Sequence, residues 1–563
     1  MTYLKALLAE PLPDSAKDTP NKPVKRRLAV IDAETDPFKK GRLPKPFIWG
    51  FYDGETYEEF STQKAMLDYM EEYPEPLRIY AHNGGKFDYH FLLEFMEADS
   101  RIMIINGRLS KFKIGNAEFR DSYNLFNFPL AAYKKDDMDY SIMEEEERNK
   151  PKNKKKISDY LYKDCVYLYE LVSEFVDTYG MHLTQAGAAM KIWQKMEDIK
   201  APQSDADYYD SIKHYYYGGR VECFKKGIIR NEFKMIDITS AYPFAMMSKH
   251  PFSLDYKIYS EGKAKGLINR TENGLMNDLF SSAFFNITAR SLGALPWRDP
   301  KQNKLAFPND NYLRNFTVTG WEIQTGLKTG TLSDIRVHSI KVWKELIDFQ
   351  RYVNKFYELK AIAKKTGNKL DELFAKLFLN ALYGKWAADP RDYQSHTITY
   401  PEYIQSYLDD GYGEGGFLGE WFLATKPIPE SQERFYNVAT AASITGFVRA
   451  YLWEAACKCE GLLYCDTDSI AAHDISNIEL SSELGGWGLD GHFDYGGIGG
   501  RKMYAFKHKD KTNKYKKASK GARLDFDEII EVAKGKKVIY EPESPTYSVH
   551  KEPRFTNREI VRT

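Results

Sequence analysis

"GLLYCDTDSIAAHD", residues 461–474, decides how the chain is read. Leu462, Leu463, Tyr464 and Cys465 form an apolar run, and Ile470, Ala471 and Ala472 resume it. Asp466 and Asp468 interrupt it, one residue apart. In a continuous strand the two-residue period would put both carboxylates on one face. Adjacent anions beside a core repel one another and resist leaving water. An EF-hand calcium loop does not account for the pair, because Ile470 and Ala471 stand where that loop needs Asn or Asp and then Gly. An ordinary surface turn is the plain alternative. A hairpin that presents both acids to divalent cations is the sharper one.

Composition narrows the setting. At 563 residues the chain exceeds one ordinary core and implies two or more domains. Lys plus Arg and Asp plus Glu both number 80, so no overall basicity announces a polyanionic partner. The charge is unevenly placed, however: Arg501–Arg523 holds ten Lys or Arg against one Asp, whereas residues 143–148 are acidic. The 40 Tyr and 33 Phe supply flat faces on which nucleobases can stack. Cysteines 165, 223, 457, 459 and 465 form no CxxC pair, and their odd number suits a reducing compartment. No run approaches the ~18–20 apolar residues of a membrane span, and the N-terminal apolar stretch is too short for a signal peptide. The expectation is a soluble cytoplasmic protein without a membrane partner, in a host's cytoplasm if the chain is viral.

Residues 1–27 read as a loose arm. From "RRLAVIDAETD" the texture is α/β: "LAVID" and "RIYAHN" are strands, and "FDYHFLLEFMEA" is a helix. "NKPKNKKK", 149–156, reads as a basic loop leading into a long helix that ends at Gly180. A second α/β unit starts at "EFKMIDITSAYP". Residues 250–335 show little periodicity and read as an insertion. "VWKELIDFQRYVNKFYELKAIAKK" and "LDELFAKLFLNALYGKW" are a helical hairpin, with Asn368 capping the second helix. "DDGYGEGGFLGEW", 409–421, reads as a hairpin tip, and no internal repeat is present.

Six segments carry candidate chemistry. "IDAET" puts Asp32 and Glu34 on one face at a strand end. "AHNGGKFDYHF" puts Asp88 where a glycine-containing turn enters a helix, and "YLYKD" puts Tyr160 and Asp164 on one helix face. Four acids and a phenol from three segments can converge on a pair of divalent ions suited to phosphodiester hydrolysis. In the second half, "MIDITSAYPFAM" carries Asp237 and Tyr242. "KLFLNALYGKW" lines Lys376, Asn380 and Tyr383 along one helix face, and "YCDTDS" supplies Asp466 and Asp468. A lysine there is a point charge for phosphate, and a tyrosine beside a bound nucleotide can close the space a ribose 2′-OH needs.

The first three segments resemble the DxE, Nx₂₋₃(F/Y)D and Yx₃D motifs of proofreading 3′→5′ exonucleases of the RNase H-like type. The last three resemble the DxxSLYP, Kx₃NSxYG and YxDTDS motifs of family B DNA polymerases, with Ala241 in place of Leu and Ala381 in place of Ser. Reverse transcriptases also use paired aspartates in a hairpin but lack the exonuclease segments. The small size and inserted segments resemble the protein-primed subgroup of small phages and linear plasmids.

The resemblance implies an α/β (α+β) chain, with an RNase H-like exonuclease domain followed by a right-hand polymerase domain of palm, fingers and thumb with two inserted subdomains. The exonuclease domain would span 28–180 and the polymerase domain 181–563. Within the latter, the palm would be about 181–250 and 433–500, insertion one 250–335, fingers 340–387, insertion two 388–432 and thumb 501–563. It implies Asp32, Glu34, Asp88 and Asp164 as ligands of two Mg²⁺ ions (or Mn²⁺), with Tyr160 orienting water and Lys135 assisting. It implies Asp237 and Asp468 as ligands of two more, with Asp466 beside them. Tyr242, Lys376, Asn380, Tyr383, Lys364 and Lys365 would meet the incoming nucleotide. Asn83, Phe87, Ser122 and Tyr123 would meet single-stranded DNA. Tyr216, Gly218 and Gly219 of "YYGGR", Thr445 and Arg449 of "TGFVR", and Lys502 and Tyr504 of "KMY" would meet template and primer.

The function implied is a monomeric DNA-directed DNA polymerase that replicates a linear viral or plasmid genome. It would start on a terminal protein, displace strands and proofread. Two alternatives stand beside it: a family B polymerase started by nucleic acid or without a primer, and a non-catalytic DNA-binding protein on a polymerase scaffold.

Overall fold

The structure is a computed structural model that describes residues 25–263, 279–389, 394–428 and 436–563. Of the expected N-terminal arm, residues 1–24 lie outside the described residues.

The first unit is a sheet of β1 (Arg27–Thr35), β2 (Pro46–Tyr52), β3 (Tyr57–Phe60), β4 (Leu77–Ala81), β5 (Arg101–Ile105), β6 (Arg108–Ile114) and β7 (Ala117–Asp121), in the order β5-β6-β7-β4-β1-β2-β3. β4 runs parallel to both β1 and β7, and the other pairs are antiparallel. The centre of β1 is apolar throughout because both faces are covered. Val30 joins a core with Leu161, Cys165 and Leu168 of the helix α1 (Pro151–Tyr179). Ala29 and Ile31 join another with Met66 and Met70 of the helix Gln63–Glu71. Gly50 permits the close approach of α1, since a Cβ there would lie 3.0 Å from Cys165 Sγ and Leu161 Cγ.

The second unit is an antiparallel palm sheet. Its order is Tyr515–Ser519, Met503–His508, β11, β8, β10, β9 and Val221–Cys223, where β8 is Phe233–Ile238, β9 Glu460–Asp466, β10 Ser469–Asp474 and β11 Trp487–Gly500. Above it stands a hairpin of α2 (Gln350–Thr366) and α3 (Lys369–Lys385), turning at Gly367 with φ +71°. Asn368 Oδ1 accepts the Asp371 N–H at 3.2 Å and caps α3. Behind the palm lies α4 (Val438–Ala456), almost wholly buried. No helix among the described residues is long and apolar enough to cross a membrane.

Several local expectations change. Residues 151–156 are not loop but the first turns of α1. Pro151 sits at the start of the helix, where its missing N–H costs nothing. Residues 88–95 are 3-10 rather than α-helix. Residues 250–335 build most of a four-stranded antiparallel sheet that extends to Trp343: Tyr256–Ser260, Leu332–Trp343, Ala283–Leu292 and Asn309–Thr319 in spatial order. Its register shifts near Asn286, Thr288 and Arg290, and each bulge breaks the alternation that would betray a strand. The strands of residues 388–432 continue the first sheet: Gln394–Thr399 pairs with β5 through His396↔Ile102 and Thr397↔Arg101. The Gly-rich stretch is mainly the strand Gly413–Leu418, so the hairpin turns at 419–420. The basic run after 501 contributes two outer strands of the palm sheet.

Candidate active sites

Asp32 and Glu34 project from the C-terminal end of β1, and Asp164 from α1 packed across it. One carboxylate oxygen from each lies within 4.8 Å of the others. Asp88, nearly fully buried at the start of the 3-10 segment, is close enough for its charge to act on Asp32 and Glu34. Burial first, and then mutual repulsion, hold Asp32 well above the ordinary carboxylate range. The same causes push Glu34 up to about 8. Burial pushes Asp88 up to about 7 and also raises Asp164.

Lys135 Nζ stands 3.7 Å from Asp164 Oδ2 and 5.5 Å over the Tyr160 ring. Burial opposes its charge, but Asp164 and Asp32 outweigh that and raise its pKa. One lysine does not balance four acids. Asp164 Oδ1 is buried without a hydrogen-bond partner. An all-oxygen, anion-rich donor set with an orphaned oxygen fits a hard divalent cation.

The second cluster lies where β8 meets the β9–β10 hairpin. Asp237 pairs in register with Ser469, and Asp466 with Ser469 across the turn. The strand does not run through the two acids: Thr467 takes φ +62°, and the chain reverses there. A β-branched residue in that region stores about 1–3 kcal/mol. The turn is held by Thr467 N–H to the Arg220 carbonyl (2.6 Å) and by Ile238 N–H to the Asp468 carbonyl (2.8 Å).

The turn separates the acids. Asp466 is claimed by Lys502 Nζ at 2.8 Å, Thr467 Oγ1 at 3.1 Å and the Tyr464 hydroxyl at 3.3 Å. Asp468 instead acts on Asp237, whose pKa burial and the charges of Asp468 and Asp490 push up to about 7. Burial likewise raises Asp468. Here too the donors are carboxylate oxygens that lack a matching cation, the chemistry a divalent metal requires.

Around this pair, Tyr242 and Tyr383 stack face to face, 4.0 Å between centroids and 3° from parallel. Lys376 and Asn380 are exposed on α3, where Asn380 Nδ2 donates to the Lys376 carbonyl at 2.9 Å. Lys364 and Lys365 are exposed in the last turn of α2. Tyr216 is half-buried and packs against the same core as Tyr242 and Tyr383. Gly218 is exposed, and Gly219 lies under the Thr467 turn, where a Cβ would come 2.8 Å from Thr467 Cγ2. In the first unit Asn83 takes φ +65° and accepts from Arg108 at 2.5 Å. Tyr123 lies beneath the Arg108 guanidinium at 4.1 Å. Phe87 is half-buried among other rings.

Four residues expected at the DNA surface lie inside the protein. Ser122 is fully buried and donates to the Ala81 carbonyl at 3.1 Å. Thr445 bonds back to its own helix at Ala441. Tyr504 is buried against Tyr464 and Phe506. Arg449 pairs with Glu322 at 2.7 Å, both side chains out of water, and donates to the carbonyls of Tyr217 (2.5 Å) and Gly218 (2.9 Å). It shapes the Gly218–Gly219 loop from behind. Lys502 is likewise committed to Asp466.

The structure adds residues that no motif signals. Arg108, bonded to Asp121 at 3.3 Å, fixes Asn83. Tyr140 places its hydroxyl 3.1 Å from that of Tyr160. Asp490, paired with Lys516, acts on Asp237 from a bulged part of β11. Lys360 lies on the same hairpin as Lys376 and Lys364. Its pKa is lowered by burial and by those two charges.

The family described as "DNA polymerase type B, organellar and viral" matches residues 126–417. The DNA-directed DNA polymerase of Enterobacteria phage PRD1 is 35% identical over 510 residues, 89% of this chain and 87% of that protein. The chain belongs to the type B DNA polymerases. A probable DNA polymerase of Agaricus bitorquis is 23% identical to this type B polymerase, over 69% of the chain and 53% of that protein. The structure of phi29 DNA polymerase with primer-template DNA shares the fold, with a TM-score of 0.71, 16% identity, and coverage of 96% of this chain and 100% of that one.

Raised carboxylates retain protons in the folded state that the unfolded chain has released. Their favourable contribution is therefore full below the unfolded carboxylate range and is lost as pH rises through the folded values of about 7 for Asp237 and Asp88 and about 8 for Glu34. In chelator, the thermal midpoint should fall from about pH 6 to about pH 9. Mg²⁺ or Mn²⁺ should reduce that fall by replacing the protons, and Glu34→Gln should flatten it. Separately, Arg449→Ala should cost about 3–5 kcal/mol in urea unfolding, because it leaves Glu322 charged and buried.

Proposed function

We propose that this type B polymerase joins deoxynucleotides to a primer at the Asp237–Asp468 centre and removes 3′-terminal nucleotides at the Asp32–Glu34–Asp88–Asp164 centre. The observation that carries the reading is the presence of two separate clusters of partly or wholly buried, under-neutralised carboxylates, each at strand ends. Divalent ions held by these acids would stabilise the attacking and leaving oxygens of phosphoryl transfer.

The protein's own groups supply positioning. Lys376, with Lys364, meets the triphosphate as fixed positive charge. The Tyr242–Tyr383 stack forms a flat wall against the new base pair and fills the space beside the sugar 2′ carbon. Asp466, tied to Lys502, fixes the hairpin that carries Asp468. In the other centre Tyr160, braced by Tyr140 and Lys135, orients the attacking water. Strand displacement and initiation on a terminal protein are assigned to the two insertions between the polymerase motifs. The support is their position in the chain and the near-complete coverage by the PRD1 polymerase.

Asp468→Ala should abolish primer extension while single-strand hydrolysis continues, and Asp32→Ala should do the reverse. Both are read on one labelled oligonucleotide series; loss of both activities in either variant would contradict two independent centres. Initiation is tested by mixing the polymerase, a candidate terminal protein, template and dATP. A covalent protein–dAMP adduct is the expected product, and extension only from nucleic-acid primers would replace that part of the reading.

A further inference from the structure

Phe87 precedes Asp88 and is flanked by two rings that belong to no recognised motif. Phe38 meets it at 5.7 Å and 62°, and Tyr547 at 5.5 Å and 86°. Phe38 lies in "DPFKKGRLPK", residues 36–45, the loop between β1 and β2, and is 49% exposed. Tyr547 arrives from the opposite end of the chain, on the strand Thr546–Ser548, and is only 7% exposed. Its ring also meets His90 at 5.1 Å and Phe91 at 6.1 Å. Burial and the Asp88 charge keep its hydroxyl neutral, with a pKa of about 12.

The C-terminal segment is anchored there. Val549 is fully buried in the core of the first unit. His550 Nδ1 lies 2.9 Å from the Gly415 carbonyl. Lys40 of the Phe38 loop pairs with Glu541, so loop and C-terminal segment close on Phe87 from two sides. The loop is also cationic. Lys39 and Arg42 pair with Glu144, and Lys45 is exposed. Exposed pairs of this kind are worth about 0–1 kcal/mol, so a phosphate can take such cations over.

We propose that Phe38 and Phe87 form an aromatic clamp that stacks on the bases of a single-stranded 3′ end entering the Asp32–Glu34–Asp88–Asp164 centre, with buried Tyr547 bracing Phe87 from behind. The inference rests on the exonuclease reading of that centre. Rings stack on any base, so the clamp is indifferent to sequence. It is selective for state: a paired terminal base is stacked on its neighbour and held by its partner, whereas a frayed base can be enclosed on both faces. The lysines of the loop follow the backbone phosphates.

Binding is measured by fluorescence anisotropy with a labelled single strand, in an Asp32→Ala background that does not consume it. Phe38→Ala and Tyr547→Ala should each weaken binding by about 10-fold, and Phe38→Tyr and Tyr547→Phe should restore it. Binding to a fully paired, recessed primer–template should change by less than about twofold. In the active enzyme the same alanine variants should raise KM for single-strand hydrolysis and spare kcat. Phe38 is half in solvent, so its variant keeps the test valid even if Tyr547→Ala unfolds. Unchanged single-strand affinity in the Phe38→Ala protein, or an equal loss on paired DNA, would overturn the clamp. If the unmodified enzyme with Mg²⁺ fails to hydrolyse single strands, the exonuclease reading fails instead, whatever the binding shows.

Discussion

A carboxylate that leaves water beside another carboxylate is held against its own preference, and this fold does so twice. Each cluster is restrained by lysines that do not cancel it. Lys135 stands off Asp164 at 3.7 Å; Lys502 is spent on Asp466, and Lys516 on Asp490. The residual negative charge is what makes each centre receptive to divalent cations. It also makes the scaffold responsible for holding the acids together when no cation is bound. Strand ends and a packed helix do this for the first centre. A strained Thr467 turn, fixed by neighbouring carbonyls, does it for the second.

The scaffold behind the Asp237–Asp468 pair depends on Glu322. One of its oxygens caps the helix Gly320–Lys328 through the Thr319 N–H at 2.8 Å, and the other pairs with Arg449. Arg449 in turn grips the Tyr217 and Gly218 carbonyls, and the next residues pass under Thr467. Insertion one, the helix behind the palm, the Gly-rich loop and the Thr467 turn therefore share one buried ion pair. A buried pair is costly to assemble and costlier to break, which couples the position of the loop to that of the turn.

The grouping of the acids was legible in the sequence because a shared site restricts residue type and spacing. Asp32 and Glu34, Tyr160 and Asp164, and the Asp466–Asp468 pair can be found by eye. Residues that brace them are not restricted in the same way. Arg108 reaches Asn83 from a strand of its own, and Tyr140 sits in an irregular segment. Lys360 becomes informative only when two helices place it near Lys376. The same limit explains Arg449 and Ser122: a motif records that a residue is needed, not whether it faces the ligand or supports what does. Insertion one escaped pattern reading because its bulges reset the strand period. The start of α1 escaped because a proline among lysines reads equally as loop or as a helix entrance.

The union of insertion two with the first sheet has a consequence for how such chains can change. β5 would be a sheet edge if Gln394–Thr399 did not pair with it, and an uncovered edge invites another chain to add itself. Trp421 Nε1 also donates to the Leu93 carbonyl at 2.7 Å, so the segment seals backbone as well as side chains. The segment is thus a lid on a sticky seam and not a detachable appendage. Shortening it would reopen that edge to whatever strand came near.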